Sequence, residues 1–229
     1  MCDLKSFEQR LEMNRKAFDR IRQVIGIGST ERDVLREIRA VWDQAAGRPV
    51  PFSGDIVSGE RSGAIEGEAG DRILRRGDVM IVDTQPGYDG CYADTTRTFF
   101  VGEITPEAHR AYSAVRDAMA QMEKVLRPGT PACRIHAVMQ ETLGRYGYAC
   151  PHHAGHAVGA EKLLEPRFVP ECDDTLTEGM LVTLEPGIYA EGLFGVRIEN
   201  NYRITKDGCE ELFRYPLDEE LFVIGDAEK

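Results

Sequence analysis

The stretch Gly77–Phe100, GDVMIVDTQPGYDGCYADTTRTFF, decides the fold, because it places two carboxylates beside apolar runs. Residues 79–82 predict a buried strand, the Pro-Gly and Asp-Gly steps predict a turn, and residues 95–101 are β-branched and aromatic enough for a second strand. The stretch therefore predicts a hairpin that carries Asp83 and Asp94. An unpaired buried carboxylate is unfavourable or takes up a proton, so we expect a cation or a metal ion beside this pair.

The composition limits the class of protein. The chain has 229 residues, 42% of them hydrophobic, and a formal net charge of -11. This length allows a full-sized core, and the negative charge disfavours nucleic acid or an anionic membrane as a partner. We find neither a bilayer-length apolar run nor a secretory leader, and we expect a cytoplasmic protein. The six cysteines include no Cys-x-x-Cys pair and are expected to be reduced thiols.

Helical patterns flank the hairpin. Apolar residues recur at helical spacing over residues 7–24, and a second helix is expected to begin after Ser29 or Thr30 and to end near residue 46. Thr105 and the proline after it predict the start of a third helix that runs to about Leu126. Residues 51–68 are rich in Gly and Ser, and we expect them to form a loop across a functional surface.

The second half of the chain repeats the first. VIGIGS at 24–29 has a counterpart in VLRPGT at 125–130, and an amphipathic helix pattern follows each of them. GDVMIVD at 77–83 likewise matches GMLVTLE at 179–185, at an offset of 102 residues. A duplicated helix-helix-hairpin unit predicts an α+β domain with pseudo-twofold symmetry, whose two hairpins face one another across a cleft.

The repeat gives each carboxylate of the hairpin a partner. Glu185 lies where Asp83 lies in the first half, and Glu199 corresponds to Asp94. Any one of these carboxylates alone could simply cap a turn. Their equivalent positions in a repeat are a more specific indication of metal binding. Four gathered carboxylates would repel one another, and two divalent cations would balance them. His156, in the small-residue segment PHHAGHAVG, is our first choice for an imidazole ligand, and the donor set suits manganese, cobalt or iron.

Four segments carry a family resemblance: IVDTQPGYDGCYADTTRTF, HHAGHAVG, LEPGIY and GVRIEN. On these motifs the chain resembles the catalytic domain of the creatinase/aminopeptidase family and is most similar to its Xaa-Pro branch, which includes aminopeptidase P and prolidase. The resemblance implies the pita-bread fold, in which two halves, about 1–103 and 104–229, surround a curved antiparallel sheet. It also implies a single catalytic domain over residues 1–229, without the N-terminal domain of that branch.

The resemblance further implies a dinuclear metal site. Its ligands would be Asp83 on one ion, His156 and Glu185 on the other, and Asp94 and Glu199 between the two ions. Tyr189 and Arg197 match residues that support the ligands, and Arg197 is expected to hold the carboxylate of Glu199 or Asp94. Manganese is the first choice of metal, with cobalt, iron and zinc as alternatives.

The chain departs from the family pattern at two histidine positions. Glu66 and Leu163 stand where active peptidases of this branch have histidines that move protons and hold the substrate carbonyl. Leucine cannot donate a hydrogen bond to an oxyanion, and glutamate does so only when protonated. His152 matches a substrate-side histidine, so one imidazole is expected near the leaving group. Glu66, His152 and Glu185 are therefore the candidate catalytic residues.

Three hypotheses follow from these residues. The leading one is a metal-dependent hydrolase, similar to an Xaa-Pro aminopeptidase or dipeptidase, that cleaves an amide bond in a short peptide. The second is a small-molecule amidohydrolase or lyase of the same fold, motivated by Glu66 and Leu163. The third is a binding module without catalysis. The expected partner is thus a short peptide or small amide, and a homodimer is compatible with each hypothesis.

Overall fold

The computed structural model describes residues 2–225, where four α-helices and thirteen short strands form two similar halves. The helices are α1 (Leu4–Val24), α2 (Glu31–Ala46), α3 (Pro106–Glu123) and α4 (Ala132–Arg145). The strands are β1 (Ile56–Ser58), β2 (Val79–Thr84), β3 (Gly87–Tyr88), β4 (Cys91–Tyr92), β5 (Thr95–Val101), β6 (His156–Ala157), β7 (Leu164–Arg167), β8 (Leu181–Leu184), β9 (Gly187–Ala190), β10 (Phe194–Arg197), β11 (Asn200–Ile204), β12 (Cys209–Glu211) and β13 (Val223–Ile224). Two 3-10 turns span Gly59–Gly63 and Glu219–Phe222.

The helices begin at residues whose side chains satisfy free backbone N–H groups. Thr30 and Asp33 form a capping box at the start of α2, and Thr105 accepts a hydrogen bond from the N–H of Ala108 at the start of α3. The four predicted helices are confirmed, including the one expected after residues 125–130, although α3 ends at Glu123 rather than near Leu126. Pro128 could not continue the helix in any case, because a proline has no backbone N–H to donate to the carbonyl oxygen of Lys124. Among the described residues, no helix is long and apolar enough to cross a membrane.

Strand pairing repeats between the halves. In the first half β2 pairs antiparallel with β1 and β5, and in the second half β8 pairs antiparallel with β6 and β11. The β3–β4 hairpin separates β2 from β5, as the β9–β10 hairpin separates β8 from β11. Helices α1 and α2 pack against each other, and so do α3 and α4. The predicted duplication of a helix-helix-hairpin unit is therefore confirmed.

The two halves are in contact where β5 lies beside the end of β10 and the residues that connect β10 to β11. The N–H of Glu199 donates to the carbonyl oxygen of Thr96 at 3.0 Å. The hydroxyl of Thr98 donates to the carbonyl oxygen of Arg197 at 2.8 Å and accepts from its N–H at 3.0 Å. These contacts fix the inner strands of the halves side by side, so that residues at their ends share one cleft.

The loop expected over residues 51–68 is wrong in part. Within it lie β1 and the 3-10 turn Gly59–Gly63, and β1 is fully buried against β2. Gly54 allows the close approach: its φ is +133°, and a Cβ there would lie 2.1 Å from the carbonyl oxygen of Asp83. A three-residue strand is too short to show a periodicity in sequence.

The prediction of six reduced cysteines is also wrong for one pair. The structure joins Cys2, just before α1, to Cys91 in β4 by a disulfide across a sequence separation of 89 residues. Spacing in sequence gave no sign of this pair, because α1 folds back against β4 only in the tertiary structure. The remaining four cysteines are free.

Candidate metal centre

One cavity of about 550 Å³ opens between the two halves. Its lining consists mostly of acidic and basic side chains: Asp55, Ile65, Glu66, Asp83, Gln85, Asp94, His152, His153, His156, Lys162, Leu163, Arg167, Glu185, Arg197 and Glu199. Every candidate ligand and catalytic residue predicted from sequence therefore lies at this cavity. Of the two predicted supporting residues, Arg197 lines it and Tyr189 is bonded to that arginine.

The four predicted carboxylate ligands reach the cavity from equivalent strand ends. Asp83 is the penultimate residue of β2, and Glu185 directly follows β8. Asp94 and Glu199 directly precede β5 and β11. All four residues are buried, with at most 9% of their surface exposed. Because the strands that carry them pair in the same way in both halves, the duplication brings the four carboxylates together.

His156 completes a close group with two of these carboxylates. Asp94, His156 and Glu199 each offer one ligand atom, and these atoms lie within 4.8 Å of one another. The Nε2 atom of His156 is 3.6 Å from Asp94 Oδ2 and 3.6 Å from Glu185 Oε1. Its Nδ1 lies 2.8 Å from the carbonyl oxygen of Ala157, which makes Nδ1 the protonated nitrogen. The lone pair of Nε2 is therefore available at the carboxylates.

Each of the four carboxylates has one buried oxygen without a hydrogen-bond partner among the described residues. These atoms are Asp83 Oδ1, Asp94 Oδ1, Glu185 Oε1 and Glu199 Oε1. Buried polar atoms are almost always paired, and four unpaired acceptors at one place indicate a missing positive partner. Oxygen donors with one imidazole suit divalent ions of the hard to borderline class. The residues present thus fit the two metal ions that the resemblance implies.

The remaining oxygens are held in place. Gln85 donates to Asp94 Oδ2 at 2.9 Å, and the hydroxyl of Thr96 donates to Glu199 Oε2 at 3.2 Å. Asn201 donates its side-chain amide to the backbone oxygen of Asp94. Such outer contacts orient the carboxylates that would bind metal.

The raised pKa values of three carboxylates at the cavity also indicate that cations are missing. Burial raises the pKa of Asp83 to about 6, although the charge of Arg197 opposes the shift. Burial and the charges of the neighbouring carboxylates raise the pKa of Asp94 and of Glu199 well above the ordinary range. Without metal, the cluster therefore holds protons at pH values where isolated carboxylates would be ionised.

Glu185 differs from the other three carboxylates. Burial acts to raise its pKa, but the imidazole of His153, together with His156 and His152, outweighs burial and brings the pKa below its usual range. His153 Nδ1 lies 3.0 Å from Glu185 Oε1. Glu185 is thus the carboxylate most readily ionised in the absence of metal.

Arg197 connects the two halves beneath the cavity. Its guanidinium is 4% exposed and lies 3.1 Å from Asp83 Oδ2 and 3.2 Å from Asp55 Oδ2. It also donates to the hydroxyl of Tyr189 at 3.0 Å and to the carbonyl oxygen of Ile65 at 2.8 Å. The predicted supporting residues Arg197 and Tyr189 thus form one hydrogen-bonded unit, and the carboxylate that Arg197 holds is Asp83, not Asp94 or Glu199.

His152 lies at the cavity with both ring nitrogens engaged. Its Nδ1 is 2.7 Å from the carbonyl oxygen of His153, and its Nε2 is 2.8 Å from the hydroxyl of Tyr189. Because Nδ1 donates to that carbonyl oxygen, Nε2 of the neutral ring is an acceptor, and the hydroxyl of Tyr189 donates its proton to Nε2. Burial lowers the pKa of His152 to about 4, so the ring is neutral. In this arrangement its lone pair is occupied by Tyr189.

Glu66 and Leu163 both line the cavity, as their sequence positions predicted. Glu66 is exposed and has no hydrogen bond among the described residues, and Leu163 is 39% exposed. Two cations, Lys162 and Arg167, also face the cavity from the same side as Leu163. The mouth of the cavity is therefore charged, with a single apolar side chain where a histidine was expected.

Sequence reasoning missed several residues of this centre. The sequence motifs assign roles to His152 and His156 but none to His153, and they do not single out Asp55 or Gln85. The adjacency of His153 to His152 was a usable signal, whereas the contacts of Asp55 depend on the pairing of β1 with β2. No local pattern could have shown that pairing.

Comparisons with known proteins agree with the geometry. The sequence profile of metallopeptidase family M24 matches residues 5–206. The Xaa-Pro dipeptidase of Pyrococcus furiosus is 32% identical over 92% of this chain and 61% of the relative, and that of Pyrococcus horikoshii is 33% identical over 92% of this chain and 60% of the relative. This chain thus spans about three fifths of the length of these curated relatives.

Solved structures show the same fold. The prolidase from Pyrococcus furiosus superposes with a TM-score of 0.89 at 31% identity, over 93% of this chain and 64% of that chain. The X-Pro aminopeptidase from Thermotoga maritima superposes with a TM-score of 0.89 at 30% identity, over 97% of this chain and 62% of that chain. The expected pita-bread fold is thereby confirmed.

Proposed function

This chain belongs to metallopeptidase family M24, and we propose that it is a dinuclear metal-dependent hydrolase that cleaves an amide bond in a short peptide. The leading substrate class is an Xaa-Pro dipeptide or a peptide with an Xaa-Pro start, since the relatives that it resembles carry those names. The observation that carries the proposal is the cluster of four buried carboxylates, each with an unpaired oxygen, around one imidazole.

The proposed ligand set assigns each of these residues a place. Asp83 would hold one ion, His156 and Glu185 the other, and Asp94 and Glu199 would lie between them. Two such ions would supply Lewis acidity toward the scissile carbonyl and lower the pKa of a water molecule toward neutrality. Manganese is the proposed metal, because carboxylate oxygens dominate the donor set.

The chain's own residues would orient and bind the substrate. Arg197 and Tyr189 fix Asp83 and His152, so the floor of the cavity keeps its shape when a peptide enters. Lys162 and Arg167 add positive charge to the cavity wall and would attract the carboxylate end of a short peptide. Glu185 stays ionised at neutral pH and would keep an anionic oxygen beside the attacking water, so it is the proposed proton acceptor, although its lowered pKa makes it a weaker base than an ordinary glutamate.

A second candidate function rests on the cavity wall. Glu66 and Leu163 line the cavity in place of two histidines, so the groups that would hold a peptide carbonyl and move its protons are changed. A small-molecule amidohydrolase or lyase of the same fold would need the metal ligands but not those histidines. This alternative shares the metal site with the leading proposal and differs from it in substrate.

Metal analysis tests the shared part of both proposals. Purified protein is expected to contain close to two equivalents of manganese, iron, cobalt or zinc by inductively coupled plasma mass spectrometry. Asp94→Ala is expected to lose both metal and amide hydrolysis. Protein without stoichiometric metal, together with unchanged turnover by Asp94→Ala, would overturn both proposals.

A substrate screen separates the two candidates. Manganese-loaded protein is assayed against Xaa-Pro dipeptides and small amides, beside the double variant Glu66→His, Leu163→His. Turnover of Xaa-Pro dipeptides by the native chain supports the peptidase and excludes the alternative. Turnover of small amides alone, with peptidase activity gained by the double variant, supports the alternative.

The proposed surroundings of the protein are a cytoplasmic location and a homodimer. The Cys2–Cys91 pair provides a test of the location, because reducing compartments keep such pairs as thiols. The structure has this pair bonded, so a cytoplasmic location requires that the bond be reduced in the cell. Thiol labelling in freshly lysed cells would then modify both cysteines, and protection of both would exclude a reducing compartment. Sedimentation velocity tests the homodimer.

A further inference from the structure

We propose that His153 is an additional metal ligand, which binds through Nδ1 beside Glu185 and makes one of the two metal positions rich in nitrogen. The inference rests on the proposed dinuclear site and extends its ligand set. His153 is not one of the five ligands that the family resemblance implies. It lines the cavity, and its side chain is 17% exposed.

The short approach of His153 to Glu185 lowers the pKa of Glu185 as a hydrogen bond would, but its direction is poor. Nδ1 and Oε1 are 3.0 Å apart, yet both are buried atoms without a hydrogen-bond partner among the described residues. At that separation a hydrogen bond fails only through its direction. Two donor atoms that lie close together without pointing at one another are placed to share a third atom, as two ligands of one ion do.

A second imidazole already lies at the same oxygen. His156 Nε2 is 3.6 Å from Glu185 Oε1, and the rings of His153 and His156 pack edge to face with centroids 5.6 Å apart. One carboxylate oxygen thus has an imidazole nitrogen on each of two sides. His153 and His156 belong to two separate close groups, with His152 and Glu185 in one and Asp94 and Glu199 in the other, and Glu185 Oε1 is the atom that approaches both imidazoles.

His152 supplies the contrast. It belongs to the same close group as His153 and Glu185, so proximity alone does not distinguish the two histidines. Both nitrogens of His152 are engaged, by the carbonyl oxygen of His153 and the hydroxyl of Tyr189. Only His153 keeps a buried nitrogen with no hydrogen bond at the carboxylate, which singles it out as a ligand.

The extra nitrogen has a consequence for metal choice. Imidazole favours borderline ions such as zinc, cobalt and iron(II), whereas carboxylate oxygens alone suit manganese and magnesium. The position beside Glu185 would therefore prefer a borderline ion, and the position beside Asp83, whose proposed ligands are all carboxylates, would keep the oxygen preference.

Cobalt-substituted protein tests the assignment without an activity assay. Proton NMR of the Co(II) protein is expected to show two exchangeable hyperfine-shifted imidazole N–H signals, one each from His153 and His156. His153→Gln is expected to lose one signal and to bind cobalt at that position more weakly by more than the roughly 10- to 100-fold that loss of an outer contact costs. His109→Gln, an exposed histidine away from the cavity, is the control and keeps both signals.

The outcomes separate this inference from the proposed function. If the native protein binds two cobalt ions but shows a single imidazole signal, or if His153→Gln keeps two signals and full affinity, His153 is not a ligand and the dinuclear site stands. Rescue of affinity by His153→Gln but not by His153→Ala would make His153 a hydrogen-bond donor to Glu185 and overturn the inference. If the native protein binds no cobalt, the proposed function fails with it.

Discussion

Asp83 in the first half and Glu185 in the second lie at equivalent ends of β2 and β8, but different residues lie opposite them. The N–H of Asp83 donates to the carbonyl oxygen of Asp55 at 2.9 Å, and the N–H of Glu185 donates to that of Ala154 at 3.0 Å. Asp55 is an acid bound to Arg197, whereas Ala154 belongs to the segment that carries the histidines.

The difference shows what a duplication does and does not copy. The paired strands are copied, and with them the four carboxylates at their ends. The neighbouring strands β1 and β6 are not copies of each other. Strand β1 precedes a 3-10 turn, whereas β6 begins with His156 and pairs on its other side with β7. The proposed nitrogen ligands therefore come from the second half alone, and we expect the two metal positions to behave differently.

The largest effect is expected from removing one carboxylate in either half. Asp83→Asn should leave the ion beside the imidazoles in place, and Glu185→Gln should release that ion, because each variant removes a charged ligand from one position. Turnover should fall in both by more than the roughly 100-fold that loss of an outer contact costs. Metal content and the imidazole signals of the Co(II) protein measure the difference. Identical residual metal in both variants would contradict the asymmetry.

Arg197 tests how strongly the halves depend on each other. Arg197→Met leaves Asp83 and Asp55 buried without their cation, and breaking a buried pair in this way typically costs about 3–5 kcal/mol of unfolding free energy. Urea unfolding of metal-free protein measures it. The control Arg203→Met removes a half-exposed pair with Glu210 and should cost about 0–1 kcal/mol. Equal losses in the two variants would remove Arg197 as a link between the halves.

The disulfide is a feature of the first half only. Without reductant, Cys2→Ser should lower the unfolding free energy by about 2–4 kcal/mol, because the open chain gains freedom when unfolded. With reductant, the variant and the native protein should unfold alike. Cys133→Ser, a free cysteine of the second half, is the matched control and should change little in either condition. If reductant has no effect on the native protein, the pair is not bonded in solution.

The smallest effect is expected from pH in the absence of metal. The folded pKa values of Asp94 and Glu199 are raised by burial and by their neighbours, so the stability from their bound protons is complete at low pH and is lost as pH rises through those values. As pH rises through those raised values, chelated protein should melt at a lower temperature. Metal-loaded protein should not, because metal replaces the protons. A parallel fall in both forms would refute this account.

Much of the fold could be predicted from the chain. Local patterns in the sequence predict the amphipathic helices α1, α2 and α3, the strand Thr95–Val101 and the repeat of the two halves. The structure contains each of these features. The repeat also led to four carboxylates that the structure gathers at one cavity. Periodicity and repetition survive in sequence because each element must bury one face, whichever partner covers it.

Other features depended on contacts between distant segments. The pairing of β1 with β2, the Cys2–Cys91 disulfide and the position of Asp55 at Arg197 join residues whose separation in sequence carries no signal. His153 is a similar case, since its neighbour His152 looks the same in sequence and only the hydroxyl of Tyr189 distinguishes them. By itself the sequence determined the duplicated frame and the acidic residues at its strand ends. Only the tertiary structure decided which nitrogen stays free beside those acids, because that depends on the distance and direction of single atoms.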